Sequence, residues 1–297
     1  MTAENVQTSR SASTTTVVTV RRRKFHPDVV ALWVAVLIAA VIWLLPFIFM
    51  VFTSLKTRAD IFENPTYLPP SSLALNNYPD AIRIGDLLTA ALNSTIIAAV
   101  KVPLGLLISA LCAFAMARLR FPSRRLLLAV VAVGTMVPIQ VVIAPVFRIV
   151  LGLGLLNQPA GAILPYIAFG IPFQVFILYG FFRGIPRELD EAARIDGVST
   201  WQLFSRIIVP LAKPALAALF VLDFVATWNE FSIALVILQS QSSHTLPLAL
   251  LSYQQQFATN YGQLNAAIAL SMVPVVLVFL RFQRFFVSGA FSGSIKG

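Results

Sequence analysis

Glu191-Ala192-Ala193, then Asp196-Gly197 and, nine residues on, Ile207-Ile208-Val209-Pro210 form the most chemically suggestive pattern in the chain. Carboxylates open a helix there, small side chains follow, a glycine ends it, and an apolar helix closes on proline. Such a segment suits docking rather than bond chemistry, because Ala192 and Ala193 let another surface approach the backbone closely. A second group lies in an apolar stretch: Asp223 and Glu230 stand about two turns apart on nearly one helix face. An ionisable side chain inside a membrane is a candidate functional group. Asp223 reads as structural, paired with a cation such as Lys101 or with a neighbouring helix. For Trp228, Asn229 and Glu230 two readings stay open: they line a path for solute, or they mark a helix end that water reaches. Gln140, Gln174, Tyr179 and Thr135 are weaker candidates, since buried polar groups also bond adjacent helices.

Other chemistry is excluded by what the sequence lacks. His26 and His244 are far apart and offer no metal-ligand spacing, and the single Cys112 rules out an internal disulfide. The chain has no G-x-x-x-x-G-K-[ST] stretch, so it carries no P-loop of its own. Gly152-Leu153-Gly154 lacks the third glycine of a dinucleotide fingerprint and reads as a turn.

The elements that position these residues follow from composition. Hydrophobic residues make up 58% of the 297-residue chain and charged residues 11%, against about 45–50% and about 25% in soluble domains. With a mean hydropathy of +0.83, too few charges remain to coat a soluble domain, and an all-α integral membrane protein is expected. The net charge of +10 reads as topology signal rather than nucleic-acid binding. Val29 to Phe52 carries no charge and suffices to cross a core of about 30 Å. Five more spans are expected at Asn93 to Met116, Leu126 to Phe147, Ala160 to Phe182, Pro214 to Leu238 and Gly262 to about Leu280, the last continuing past a snorkelling Arg281. With the N-terminus inside, 17 of the 22 Lys and Arg fall on inner segments and four on outer ones, so both ends are expected in the cytoplasm. The expected organisation is a disordered basic tail over 1–28, a first span over 29–52, an outer loop over 53–92, a five-helix domain over 93–287 and a tail over 288–297.

The inner segment 183–213 is the most charged part of the chain. Pro186 can open a short helix whose first turn holds Glu188, Asp190 and Glu191, where the helix dipole favours carboxylates. Gly197 suits the position after the helix end. Ser199 and Gln202 have capping-box spacing, and Trp201, Phe204, Ile207 and Ile208 fall on one face of a second helix ended by Pro210 and Pro214.

This segment resembles the EAA motif of the membrane subunits of bacterial ABC importers, with Val209 where leucine is usual. The resemblance extends over nearly the whole chain and is strongest to the MalG-type carbohydrate branch. It is carried by Asn93-Ser94-Thr95, Ala117 to Pro122, Leu153 to Asn157, Gly180 to Pro186, Trp228 to Phe231 and Gly289 to Gly297. It implies a type I importer transmembrane domain of six helices in the bacterial cell membrane. It also implies a heterodimer with a second homologous permease, a cytoplasmic ABC ATPase dimer and an extracytoplasmic solute-binding protein. The coupling residues are expected to be Glu191, Ala192, Ala193, Asp196, Gly197, Ile207 and Pro210. No cofactor is expected on this chain; ATP and Mg belong to the ATPase. The implied substrate is a sugar, whose hydroxyls suit amides and carboxylates and whose ring face suits an aromatic. A polyol or glycerol phosphodiester is the alternative solute. A secondary transporter or channel is the distant alternative, and no clear internal repeat supports it.

Overall fold

The computed structural model describes residues 27–253 and 260–292, and among these all regular elements are helical. The chain forms two compact units, one ending at Pro46 and one starting at Phe47. The first contains the beginning of α1 (Pro27–Ser54). Every residue from Asp28 to Pro46 is exposed, Trp33 by 70% and Trp43 by 78%, and a helix apolar on all sides suits lipid. Up to residue 26, the expected basic tail lies outside the described residues.

The second unit contains α2 (Arg58–Glu63), α3 (Asn77–Ile84), α4 (Leu87–Arg118), α5 (Arg124–Gly134), α6 (Ile139–Gly152), α7 (Pro159–Gly184) and α8 (Glu188–Ile195). After α9 (Thr200–Gln202), a π-helical stretch (Leu203–Ile208) and α10 (Val209–Leu211) come α11 (Lys213–Trp228), α12 (Ser232–Ile237), α13 (Leu246–Ala249) and α14 (Tyr261–Ser292). The central pair is α4 with α7, and α11 packs on both. Gly105, Ser109, Ala113 and Ala117 recur at every fourth position of α4 and are buried. Small side chains at that spacing let two helices close on each other.

Four expected spans are single helices, α1, α4, α7 and α14; counting each of two bent helix pairs as one span makes six. Prolines at 46, 103, 165, 172 and 274 sit inside the four single helices. Pro138 does not. The expected span Leu126 to Phe147 is broken into α5 and α6, which meet at 104°. Pro138 supplies no N–H and pushes the residue before it out of helical geometry, so it stands in the break, at the N-cap of α6, rather than inside a kinked helix. The expected span Pro214 to Leu238 is also interrupted. The rod Thr200–Leu211 meets α11 at 75°, and α11 stops at Trp228 before α12 begins. Asn229 turns its amide back onto the Val225 carbonyl at 2.9 Å, while the Glu230 carboxylate accepts from the Ile233 and Ala234 N–H groups at 2.8 and 3.1 Å. The two side chains thus end one helix and cap the next.

The segment 53–92, expected as a loop, is folded. Lys56, 1% exposed, donates to the Pro65 carbonyl at 2.8 Å. Asp60 accepts from Asn64 and from the N–H and hydroxyl of Ser71. Asn77 bridges the Ser54 and Lys56 carbonyls at 2.9 Å each. At the other terminus α14 runs to Ser292, so residues 288–292 of the expected tail are helical, and 293–297 lie outside the described residues.

Candidate functional site

The segment after α7 is an elbow held from inside. The α8 helix carries Glu188, Asp190 and Glu191 in its first turn, with Arg187 rather than Pro186 immediately before it. It ends in a Schellman arrangement: the Gly197 N–H donates to the Arg194 carbonyl at 3.1 Å and the Val198 N–H to the Ala193 carbonyl at 2.9 Å. Gly197 has φ +75°, the left-handed conformation this ending needs. Ser199 and Gln202 then form a reciprocal capping box. The π-helical stretch ends at Ile208, two residues before Pro210, whose missing N–H removes a regular rung.

One expectation about side-chain exposure is corrected here. Ala193 is not available to a partner: it is 5% exposed and packs with Phe182, Leu203, Phe204 and Ile208. In an eight-residue helix, adjacent positions point about 100° apart, so Ala192 is exposed while Ala193 faces inward. Trp201 does share the face of Phe204 as expected, with ring centroids 5.5 Å apart. It is 62% exposed, whereas Phe204 and Ile208 are buried and Ile207 is half-buried. Glu191, Ala192, Asp196, Gly197 and Pro210 are all exposed.

Arg118, at the end of α4, ties this elbow to the membrane helices. Its Nη2 donates to the Phe182 and Ile185 carbonyls at 2.8 Å each, satisfying acceptors that the end of α7 leaves free. Its Nη1 lies 3.2 Å from Asp190 Oδ2.

The polar groups of the spans gather elsewhere. A cleft of about 190 Å³ is lined by Lys101, Tyr166, Gly170, Asp223, Thr227 and Glu230. A second, of about 220 Å³, shares Gly170 and Asp223 with it and adds Gln174, Phe173, Leu219 and Leu222. Lys101 and Asp223 form a buried ion pair, in agreement with the structural reading of Asp223. Glu230 accepts the Tyr166 hydroxyl proton in a hydrogen bond. Gln174 is 2% exposed and accepts from the Ser109 hydroxyl at 2.8 Å.

The structure does not bring all expected path residues together. Trp228 and Asn229 line a different cleft of about 280 Å³, with Leu246, Pro247, Ser271 and Met272. Trp228 stacks on Phe224, and its indole donates to the Ser271 carbonyl at 3.1 Å, anchoring α11 to α14. Gln140 is exposed on α6 and lines none of these three clefts. Thr135 sits exposed at the α5–α6 break, and Tyr179 accepts from Arg124 at 3.3 Å. Tyr166, Gly170 and Ser109 were not singled out from sequence. Their signal is a four-residue spacing: Tyr166, Gly170 and Gln174 on α7, and Lys101, Gly105 and Ser109 on α4. Among the described residues no group of three or more His, Cys, Asp or Glu is placed to hold a metal.

Comparison with known proteins gives the context of this geometry. Residues 102–291 match the family described as binding-protein-dependent transport system inner membrane component. The diacetylchitobiose uptake system permease protein NgcG of Streptomyces coelicolor is 34% identical, with 89% of this chain and 86% of that protein covered. The trehalose transport system permease protein SugB of Mycobacterium tuberculosis is 35% identical, with 86% and 93% covered. A crystal structure of a bacterial ABC transporter involved in import of the acidic polysaccharide alginate shares the fold, with a TM-score of 0.76 at 23% identity, over 89% of this chain and 98% of that one. These matches show the family: the chain belongs to the inner membrane components of binding-protein-dependent transport systems, as a non-catalytic permease subunit of the carbohydrate branch of ABC importers.

Proposed function

We propose that this permease forms half of the translocation path for a di- or oligosaccharide and that α8 is the lever through which a separate ATPase drives it. The observation that carries the reading is the two-sided character of α8. One side is locked inward by Ala193 and the Arg118–Asp190 pair; the other presents Glu191, Ala192 and Asp196 to solvent. A helix fixed on one side and bare on the other transmits a push instead of absorbing it. Arg118 passes that push to the ends of α4 and α7, the helices that carry Lys101, Gly170 and Gln174. Rocking them opens and closes the clefts around Gly170.

In this reading both termini and α8 are cytoplasmic, in line with the excess of Lys and Arg on those segments. The partners are a second homologous permease forming a heterodimer, an ATPase dimer that holds ATP and Mg, and an extracytoplasmic binding protein that delivers the sugar. The relatives named for diacetylchitobiose and trehalose support a short saccharide. The test is Ala192→Trp, expressed with the ATPase, the second permease and the binding protein. The variant is expected to reach the membrane at the normal level, yet to lose ATPase co-purification and sugar uptake by about thirtyfold or more, the effect of spoiling a central contact. Normal binding and normal uptake would remove α8 as the docking lever.

A further inference from the structure

We infer that Gly170, Gln174 and Asp223 form a subsite for one hydroxyl group in the wall of the path, and that the transported sugar is uncharged. The inference rests on the proposed role of this chain as half of a saccharide path. Its starting point is a convergence of atoms from three helices. A Cβ built on Gly170 of α7 would lie 3.1 Å from Lys101 Nζ, 3.3 Å from Gln174 Nε2 and 3.5 Å from Asp223 Oδ1. Only a glycine leaves that point open.

Two of the converging side chains have bonding capacity left. Gln174 gives its Oε1 to the Ser109 hydroxyl, and its Nε2 has no partner. Asp223 gives Oδ1 to Lys101, and its Oδ2 has no partner. The residues are 2% and 8% exposed and line the same cleft. Buried polar groups are bonded in the great majority of cases, so an open donor beside an open acceptor indicates a guest that supplies both. A hydroxyl does so: its proton goes to Asp223 Oδ2 and its lone pair accepts from Gln174 Nε2. A carboxylate or sulfonate supplies no donor. Phe169, Phe173, Leu219 and Leu222 complete the cleft with apolar surface suited to a sugar ring face.

Charge argues for the same class. Lys101 is the basic residue lining the two clefts, and Asp223 neutralises it. Glu230 adds a carboxylate that forms no ion pair among the described residues; its partners are the Tyr166 hydroxyl and two backbone N–H groups. An anionic sugar here would meet a wall without a free cation, at a dielectric where charge repulsion is strong.

The experiment uses the complete importer in proteoliposomes. Uptake of trehalose, maltose, cellobiose and diacetylchitobiose is compared with uptake of an alginate trisaccharide, for wild type, Gln174→Leu and Gly170→Ala. Wild type is expected to take up at least one neutral sugar and not the anion. Each variant is expected to lower that uptake about tenfold at sub-saturating sugar, as one lost hydrogen bond in a charged setting implies. Gly170→Ala keeps every side chain of the cluster and decides the matter if Gln174→Leu assembles poorly. Unchanged uptake in both variants would overturn the subsite and leave its open groups to water. Uptake of the alginate trisaccharide alone would overturn the uncharged class while leaving the saccharide path intact. Uptake of none of these sugars would overturn the saccharide reading itself, and the subsite with it.

Discussion

The Arg118 guanidinium lies 3.2 Å from the Asp190 carboxylate, joining the last turn of α4 to the first turn of α8. The same side chain holds the Phe182 and Ile185 carbonyls. The end of α4, the end of α7 and the start of α8 therefore share one cation. Arginine suits this task because its planar fork serves several acceptors at once and stays charged.

Arg118→Met is expected to cost about 3–5 kcal/mol, because it leaves Asp190 as an uncompensated buried charge. Thermal unfolding of the purified complex measures the loss. Arg118→Met combined with Asp190→Leu is expected to recover part of it, since replacing both members of a buried pair is often close to neutral. The recovery stays incomplete because the Phe182 and Ile185 carbonyls lose their donor. A double variant no more stable than the single one would show that the charge pair contributes little.

Gly197 separates backbone conformation from steric space. Its φ is +75°, and a Cβ there would meet no atom within 4 Å. The demand is conformational alone. Gly197→Asn is expected to keep binding-protein-stimulated ATPase activity, because asparagine visits the left-handed region readily. Gly197→Val is expected to lower it, with about 1–2 kcal/mol or more of strain at the end of α8. Equal activity in the two variants would mean that the Schellman ending is dispensable.

The elbow was legible in sequence to the degree that its signals were local. The acidic first turn, Gly197 and the Ser199–Gln202 box each act within four residues, and the helices formed where those signals stand, although α8 starts two residues after Pro186. Span positions were legible because hydropathy is summed over about twenty residues. What failed was decided by contacts that no window contains. Pro138 and Pro172 look alike in sequence, yet α7 continues through Pro172 while Pro138 stands in a break, at the N-cap of α6. Ala193 and Ala192 are the same residue type, and only the packing of α8 against Phe182 and Phe204 distinguishes them. The trio Trp228, Asn229 and Glu230 reads as one unit, but α11 ends within it and its side chains part to different clefts.

Glu230 is expected to act mainly as a cap. Both its oxygens are engaged by the first N–H groups of α12, and one also takes the Tyr166 hydroxyl. Glu230→Ala is expected to lower stability by about 1–3 kcal/mol, since it strands buried donors. Glu230→Gln keeps one acceptor oxygen and is expected to lose less. The thermal midpoints of the two variants rank them, and the reverse order would indicate that charge at this position matters more than bonding.

The folded segment between α1 and α4 carries a pH dependence of its own. Hydrogen bonds from Asn64, and then from the Ser71 backbone and hydroxyl, hold the Asp60 carboxyl below the usual range; burial opposes them, and the nearby Lys56 charge adds a smaller pull in the same direction. A group whose folded pKa is depressed stabilises the fold above its unfolded value, about pH 3.9 for aspartate, and that contribution is lost as pH falls through the folded value. The segment is therefore expected to keep its protection at neutral pH and to loosen only below about pH 4. Limited proteolysis between Thr57 and Ser71 with an acid-active protease follows this directly. Asp60→Asn keeps one carbonyl acceptor but cannot ionise, so its cleavage is expected to be faster than that of wild type at about pH 5 and nearly independent of pH across the acid range. Wild-type cleavage that stays flat down to pH 3, or an Asp60→Asn variant as pH-sensitive as wild type, would place the acid sensitivity of this segment on another group.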